Sequence, residues 1–107
     1  MNELLSDLKG GHLAFADVIR YIEDHYTVHP TAFRNGNQYN EASQNQGSAK
    51  VLYFARLHDL NKEDTLLLFA EHYRAVLDDP TGTNHQNIRQ VMENGWEGVT
   101  FEGIVLE

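Results

Sequence analysis

Apolar residues recur with a helical period over most of this chain and alternate over only short stretches. In "NELLSDLKGG", Leu4, Leu5 and Leu8 share one helical face, and Gly10-Gly11 supplies the stop. In "FADVIRYIEDHY", Phe15, Val18, Ile19, Ile22 and Tyr26 follow i, i+3, i+4, i+7 and i+11, which predicts a one-faced amphipathic helix. Pro30 disfavours helical geometry at His29, so the chain turns extended there. "TAFRNGNQYN" then predicts a short strand and a turn around Asn35-Gly36. Ser48 is placed to cap a helix over "AKVLYFARLHDL", where Val51, Leu52, Phe54, Ala55 and Leu57 cover most of the circumference. A helix apolar on nearly all sides belongs in the interior.

Asn61 is the expected cap of the next helix, with Glu63 and Asp64 complementing the dipole in its first turn. Its expected buried stripe is Leu66, Phe69, Ala70, Tyr73 and Leu77, and "DDPTGTN" ends it with turn residues. A last helix carries Ile88, Val91 and Met92 and stops at Gly95. "GVTFEGIVLE" predicts a strand through Val99 and Phe101. Together these elements predict an α+β fold of four to five helices around a small antiparallel sheet, the middle helices forming the core. At 107 residues the chain suits a single domain spanning 1–107.

Charge narrows the partners. A net charge of −8, with eight Lys and Arg scattered singly, argues against nucleic acid and against an anionic membrane surface. No apolar run approaches the ~20 residues needed to span a bilayer. The absence of cysteine excludes disulfides, a thiolate nucleophile and cysteine-based zinc sites.

The polar chemistry concentrates in "PTAFRNGNQYNEASQNQGSAK", where seven of the seventeen residues from Arg34 to Lys50 are Asn or Gln. Two readings stand for it. The amides satisfy an irregular backbone, as Asx turns and caps do, or some of them face a ligand from a loop held by the scaffold. A second polar cluster lies in "TGTNHQNIR", where His85 and Arg89 stand i, i+4 apart. If the two clusters meet, Arg34, Lys50, His85 and Arg89 form a cationic spot suited to a small carboxylate or phosphate. The candidate polar pocket is then Arg34, Asn35, Asn45, Lys50, His85, Gln86 and Arg89, bordered by Tyr73 and Trp96, with His85 the proton carrier.

Sharper motifs fail on inspection. "GSAK" has the wrong spacing for a phosphate-binding loop, and Lys50 is followed by Val51. His25 and His29 have a zinc-helix spacing, but Pro30 spoils the helix. A calcium loop begun at Asp78 places Arg89 where a bidentate Glu is needed, and no G-x-S-x-G is present. No cofactor and no metal are expected.

Three runs occur together in order: Phe33-Arg34-Asn35-Gly36, Asn45 through Lys50, and His85-Gln86-Asn87-Ile88-Arg89 with Gly95-Trp96. In these the chain resembles the HopJ type III effector family from about Phe15 to Gly103. The resemblance implies a bacterial protein of unestablished activity, held in the bacterial cytoplasm or delivered into a host cell by a type III system. It also implies a protein partner, bacterial or host. An interaction protein without catalysis is thus one reading, and a binder or enzyme for an anionic ligand is the alternative.

Overall fold

Each stretch with a helical period forms a helix, but one of them forms two. The structure, a computed structural model, describes residues 2–107. Helices α1 (Asn2–Lys9) and α2 (Phe15–His25) lead into strands β1 (Phe33–Asn35) and β2 (Gln38–Asn40). Helices α3 (Gln46–Leu57), α4 (Lys62–Leu67), α5 (Glu71–Asp78) and α6 (Gln86–Asn94) follow. A 3₁₀ turn (Gly95–Gly98) then opens into β3 (Val99–Phe101). The sheet is antiparallel in the order β2-β1-β3, with Phe33 opposite both Asn40 and Phe101. The architecture is α+β, with six α-helices among the described residues rather than four to five.

The extra helix comes from a break in the expected helix of residues 62–77. Asn61 caps α4 as its sequence position suggests, its Oδ1 accepting from the Asp64 N–H at 2.8 Å. Five apolar residues then follow without interruption, Leu66 to Ala70, more than one helical face can bury. The chain turns at Ala70 (φ 51°, ψ −122°), so that Leu66, Leu68, Phe69 and Ala70 all go inside. That backbone costs a non-glycine residue about 1–3 kcal/mol. It also resets the helical face of α5: Val76 is buried, whereas Leu77, expected inside, is 50% exposed.

The core is continuous and centred on α3, which buries Ala49, Val51, Leu52, Phe54 and Ala55 and packs against α2. Its first turn starts at Gln46 with Asn45 as the cap residue, three positions ahead of the expected Ser48 cap. The hairpin turn likewise lies one residue later than expected. Asn35 pairs with Gln38, so Gly36 and Asn37 are the central pair, and Gly36 takes the positive φ (59°). The final residues close the molecule. Thr27 and Glu107 exchange backbone hydrogen bonds of 2.9 Å, His29 N–H donates to the Val105 carbonyl, and Val105 and Leu106 are buried. Among the described residues no helix is long and apolar enough to cross a membrane.

Candidate functional site

The amide-rich stretch is ordered, and its order is built from its own side chains. Gln46 on α3 holds both backbone groups of Thr31: its Oε1 accepts from the N–H at 3.0 Å and its Nε2 donates to the carbonyl at 3.2 Å. The same Nε2 reaches the Gln44 carbonyl, and Gln44 Oε1 accepts from the Glu41 N–H. Deeper in, four amides link the hairpin to the two helices behind it. Asn40 Nδ2 donates to Asn87 Oδ1 at 3.3 Å while Asn87 Nδ2 donates to Asn40 Oδ1 at 3.0 Å. Asn45 Nδ2 donates to the same Asn40 oxygen at 2.7 Å, and Asn35 Nδ2 to the Asn87 carbonyl at 2.8 Å. Asn35, Asn40 and Asn87 are buried, so these pairings compensate groups that are costly to leave dry and alone.

This network carries α3 and α6 to the same place with their N-termini side by side. Both begin from a left-handed residue, Asn45 (φ 50°, ψ 39°) and His85 (φ 52°, ψ 50°), residue types that tolerate the region better than most. Neither side chain caps its helix. The first-turn N–H groups of each helix therefore keep their partial positive charge, equivalent to about half a unit at each helix start. Between them lies a cavity of about 460 Å³, lined by Asn45, Gly47 and Ser48 from α3 and by His85, Gln86, Asn87 and Ile88 from α6. Phe15, Gln38, Phe69 and His72 complete the wall. Among the described residues lining it there is no carboxylate and no Lys or Arg.

The titratable pair here is His72 and His85, whose ring centroids lie 5.0 Å apart. Burial, then the proximity of His72 and of Arg89, holds the His85 ring below its ordinary value and favours its neutral form. Glu71 sits just behind. Burial pushes its carboxyl up, but the Phe15 N–H at 2.7 Å, its own N–H and the nearby His72 and Arg74 outweigh this, leaving it lowered. Its charge is thus spent on the start of α2. Among the described residues no group of three or more His, Cys, Asp or Glu side chains is arranged to hold a metal ion.

Of the residues expected in the pocket, Asn45, His85 and Gln86 line it, and Asn35 lies buried in the supporting network. The four-cation spot is not assembled. Arg34 points off the outer face of β1 over the Tyr39 ring, 5.4 Å from its centroid. Lys50 Nζ pairs with Glu23 Oε2 at 2.9 Å. Arg89 turns to its own loop, donating to the Asn84 carbonyl (2.6 Å), Asn84 Oδ1 (2.7 Å) and the Pro80 carbonyl (3.3 Å). The two border aromatics lie elsewhere as well. Tyr73 lines a groove with Leu8 and Arg74. Trp96 donates its Nε1–H to the Leu60 carbonyl beneath Arg56. In place of side-chain cations the cavity is lined by the first turns of two helices. The sequence does not mark His72, because the break at Ala70 that turns it inward has no Gly or Pro to announce it, and it offers Phe15 only as an apolar stripe residue, Ser48 only as a cap and Asn87 only within the run 85–89.

The family sequence model described as HopJ type III effector protein matches residues 1–106. The chain belongs to that family. No curated protein matches it. Among solved structures, it is similar to the crystal structure of a protein of unknown function, VPA0580, at 41% identity and a TM-score of 0.91. That likeness covers 100% of this chain and 92% of the other. The runs at 33–36, 45–50 and 85–89, on which the resemblance first rested, are the segments that build the hairpin and both helix starts around the cavity.

Proposed function

We propose that this HopJ-family protein works by binding a small anionic ligand between the N-termini of α3 and α6. One observation carries the reading: two uncapped helix starts and a histidine pair face one carboxylate-free cavity on a chain of net charge −8. Helix N-termini present N–H donors and partial positive charge to an anion, and His72 and His85 each offer a further ring N–H. About 460 Å³ lies within the usual range for small-molecule sites. His85, held toward its neutral form, can also accept a proton, so turnover of a bound acid is compatible with the same geometry.

The test is an NMR titration with acetate and with inorganic phosphate as probes. Saturable shifts are expected at the amides of Gly47, Ser48 and Asn87. His72→Gln and His85→Asn (Asn tolerating the left-handed backbone) are each expected to weaken binding about tenfold, or ~1.4 kcal/mol. Uniform, non-saturating shifts across the surface would end the reading.

The family match supports a second reading at the level of the organism: delivery into a host cell by a type III system, and action there on a protein partner. The full chain fused to a translocation reporter should enter host cells from a secretion-competent bacterium and not from a secretion-deficient one. Equal signals from the two strains would remove delivery for this member while leaving the pocket untouched.

A further inference from the structure

The cavity is not polar throughout. Alongside its helix starts stands a run of rings: Phe69 and Phe15 are near-parallel (centroids 6.0 Å, 12° between planes). His72 meets Phe15 edge-on at 4.9 Å, and His85 lies 5.0 Å beyond His72. Ile88 adds an aliphatic surface. Resting on the anion-binding reading above, we propose that the ligand is a flat aromatic monocarboxylic acid, its carboxylate at the α3 and α6 amides and its ring against Phe15 and His72.

Two features of the wall support this class. The first is how close charge and ring must lie. A Cβ on Gly47 would come within 3.3 Å of Phe15 Cε2 and Cζ, so the bare first turn of α3 lies directly against the ring edge. An acid whose carboxylate reaches that turn has its next atoms already on the aromatic wall, which favours a carboxyl carried on the ring over one on a long chain. Aromatic surfaces also favour an aromatic partner in offset or edge-on contact over an aliphatic one of equal area.

The second feature is charge. With no Lys or Arg among the described lining residues and a net charge of −8 on the chain, one negative charge matches the two half-charges of the helix starts. A polyanion would be left uncompensated. This argues for a carboxylate over a phosphate dianion.

Calorimetric titration of the full chain with benzoate, cyclohexanecarboxylate, acetate and inorganic phosphate tests the class. Benzoate is expected to bind about tenfold more tightly than cyclohexanecarboxylate, an acid of similar size without a π face. Phe15→Leu is expected to close most of that gap, and Gly47→Ala, a better helix former that pushes a methyl toward Phe15, to weaken benzoate without lowering the unfolding midpoint. Should Phe15→Leu fail to fold, Gly47→Ala decides by itself. Equal affinity for benzoate and cyclohexanecarboxylate, or tighter binding of phosphate than of benzoate, overturns the aromatic-acid class and leaves the anion site standing. Silence from all four probes removes both.

Discussion

Phe54→Ala is expected to lower the stability of this protein by about 4 kcal/mol, the usual range for emptying a fully buried phenylalanine site being about 3–5. Phe54 has no exposed surface and sits in the last turn of α3. Tyr21 and Tyr26 of the α2 side meet it edge-on with centroids 6.0 Å away, and His58 lies 4.5 Å away. Truncation removes the partner of all three rings at once. The half-exposed aromatics cannot collapse into the gap, because Tyr26 is tethered by its hydroxyl to His58 Nε2 at 3.0 Å. In a domain whose whole stability is of order 5–15 kcal/mol, urea denaturation should show the midpoint falling by at least about 1 M with an unchanged slope. A fall of less than about 1 kcal/mol would mean that α3 is not the centre of the interior.

Much of that interior was legible because helical amphipathicity survives folding. The stripe from Phe15 to Tyr26 gave α2 within a residue, and the all-round apolar character of residues 49–57 placed α3 at the centre. What failed did so where a local signal was overridden by burial elsewhere. The run Leu66–Ala70 has mostly good helix formers, and the burial of four of its five members accompanies the bend at Ala70. Nothing in the residue types marks that break, and everything after it, including His72 and Leu77, moved to an unexpected face. The terminal Val105-Leu106 pair gave no sign either, since two apolar residues carry no period.

The site was legible as two segments and illegible as chemistry. Residues 45–50 and 85–89 do meet. Their cations point away because each finds a closer partner: Lys50 a carboxylate, Arg89 the carbonyls of its own loop, Arg34 an aromatic face. A cation drawn to a neighbour within reach is the common outcome for a long flexible side chain, and the sequence cannot show those neighbours. Positive potential comes instead from helix starts without side-chain caps, at Asn45 and His85, whereas the sequence favours Ser48 as the α3 cap.

Asn40 joins these threads, and its replacement by Leu is expected to cost about 3 kcal/mol. The side chain is fully buried. Its Nδ2 is shared among the Phe33 and Gln38 carbonyls and Asn87 Oδ1, and its Oδ1 accepts from Asn87 and Asn45. Leucine keeps the branched shape but strands the Asn87 Nδ2 donor and takes one partner from the Phe33 carbonyl and from Asn87 Oδ1, which is left with Asn35 Nδ2 at 3.1 Å; each unsatisfied buried group costs about 1–3 kcal/mol. Apolar gain offsets part of this, and two of the three groups keep another partner, which holds the net figure to the low end of the sum. The loss should be cooperative: Asn40→Leu combined with Asn87→Leu is expected to cost less than the two singles together, because the second change removes the groups orphaned by the first. Strict additivity would mean the amides act independently. The substitution should also reach the cavity, since Asn45 is fixed through Asn40, and with it the first turn of α3. Amide exchange at residues 46–48 should quicken in Asn40→Leu while exchange at the buried Val51 and Leu52 follows only the global loss. An unchanged rate at 46–48 would show that α3 holds its own N-terminus, and that the hairpin amides stabilise the fold without positioning the site.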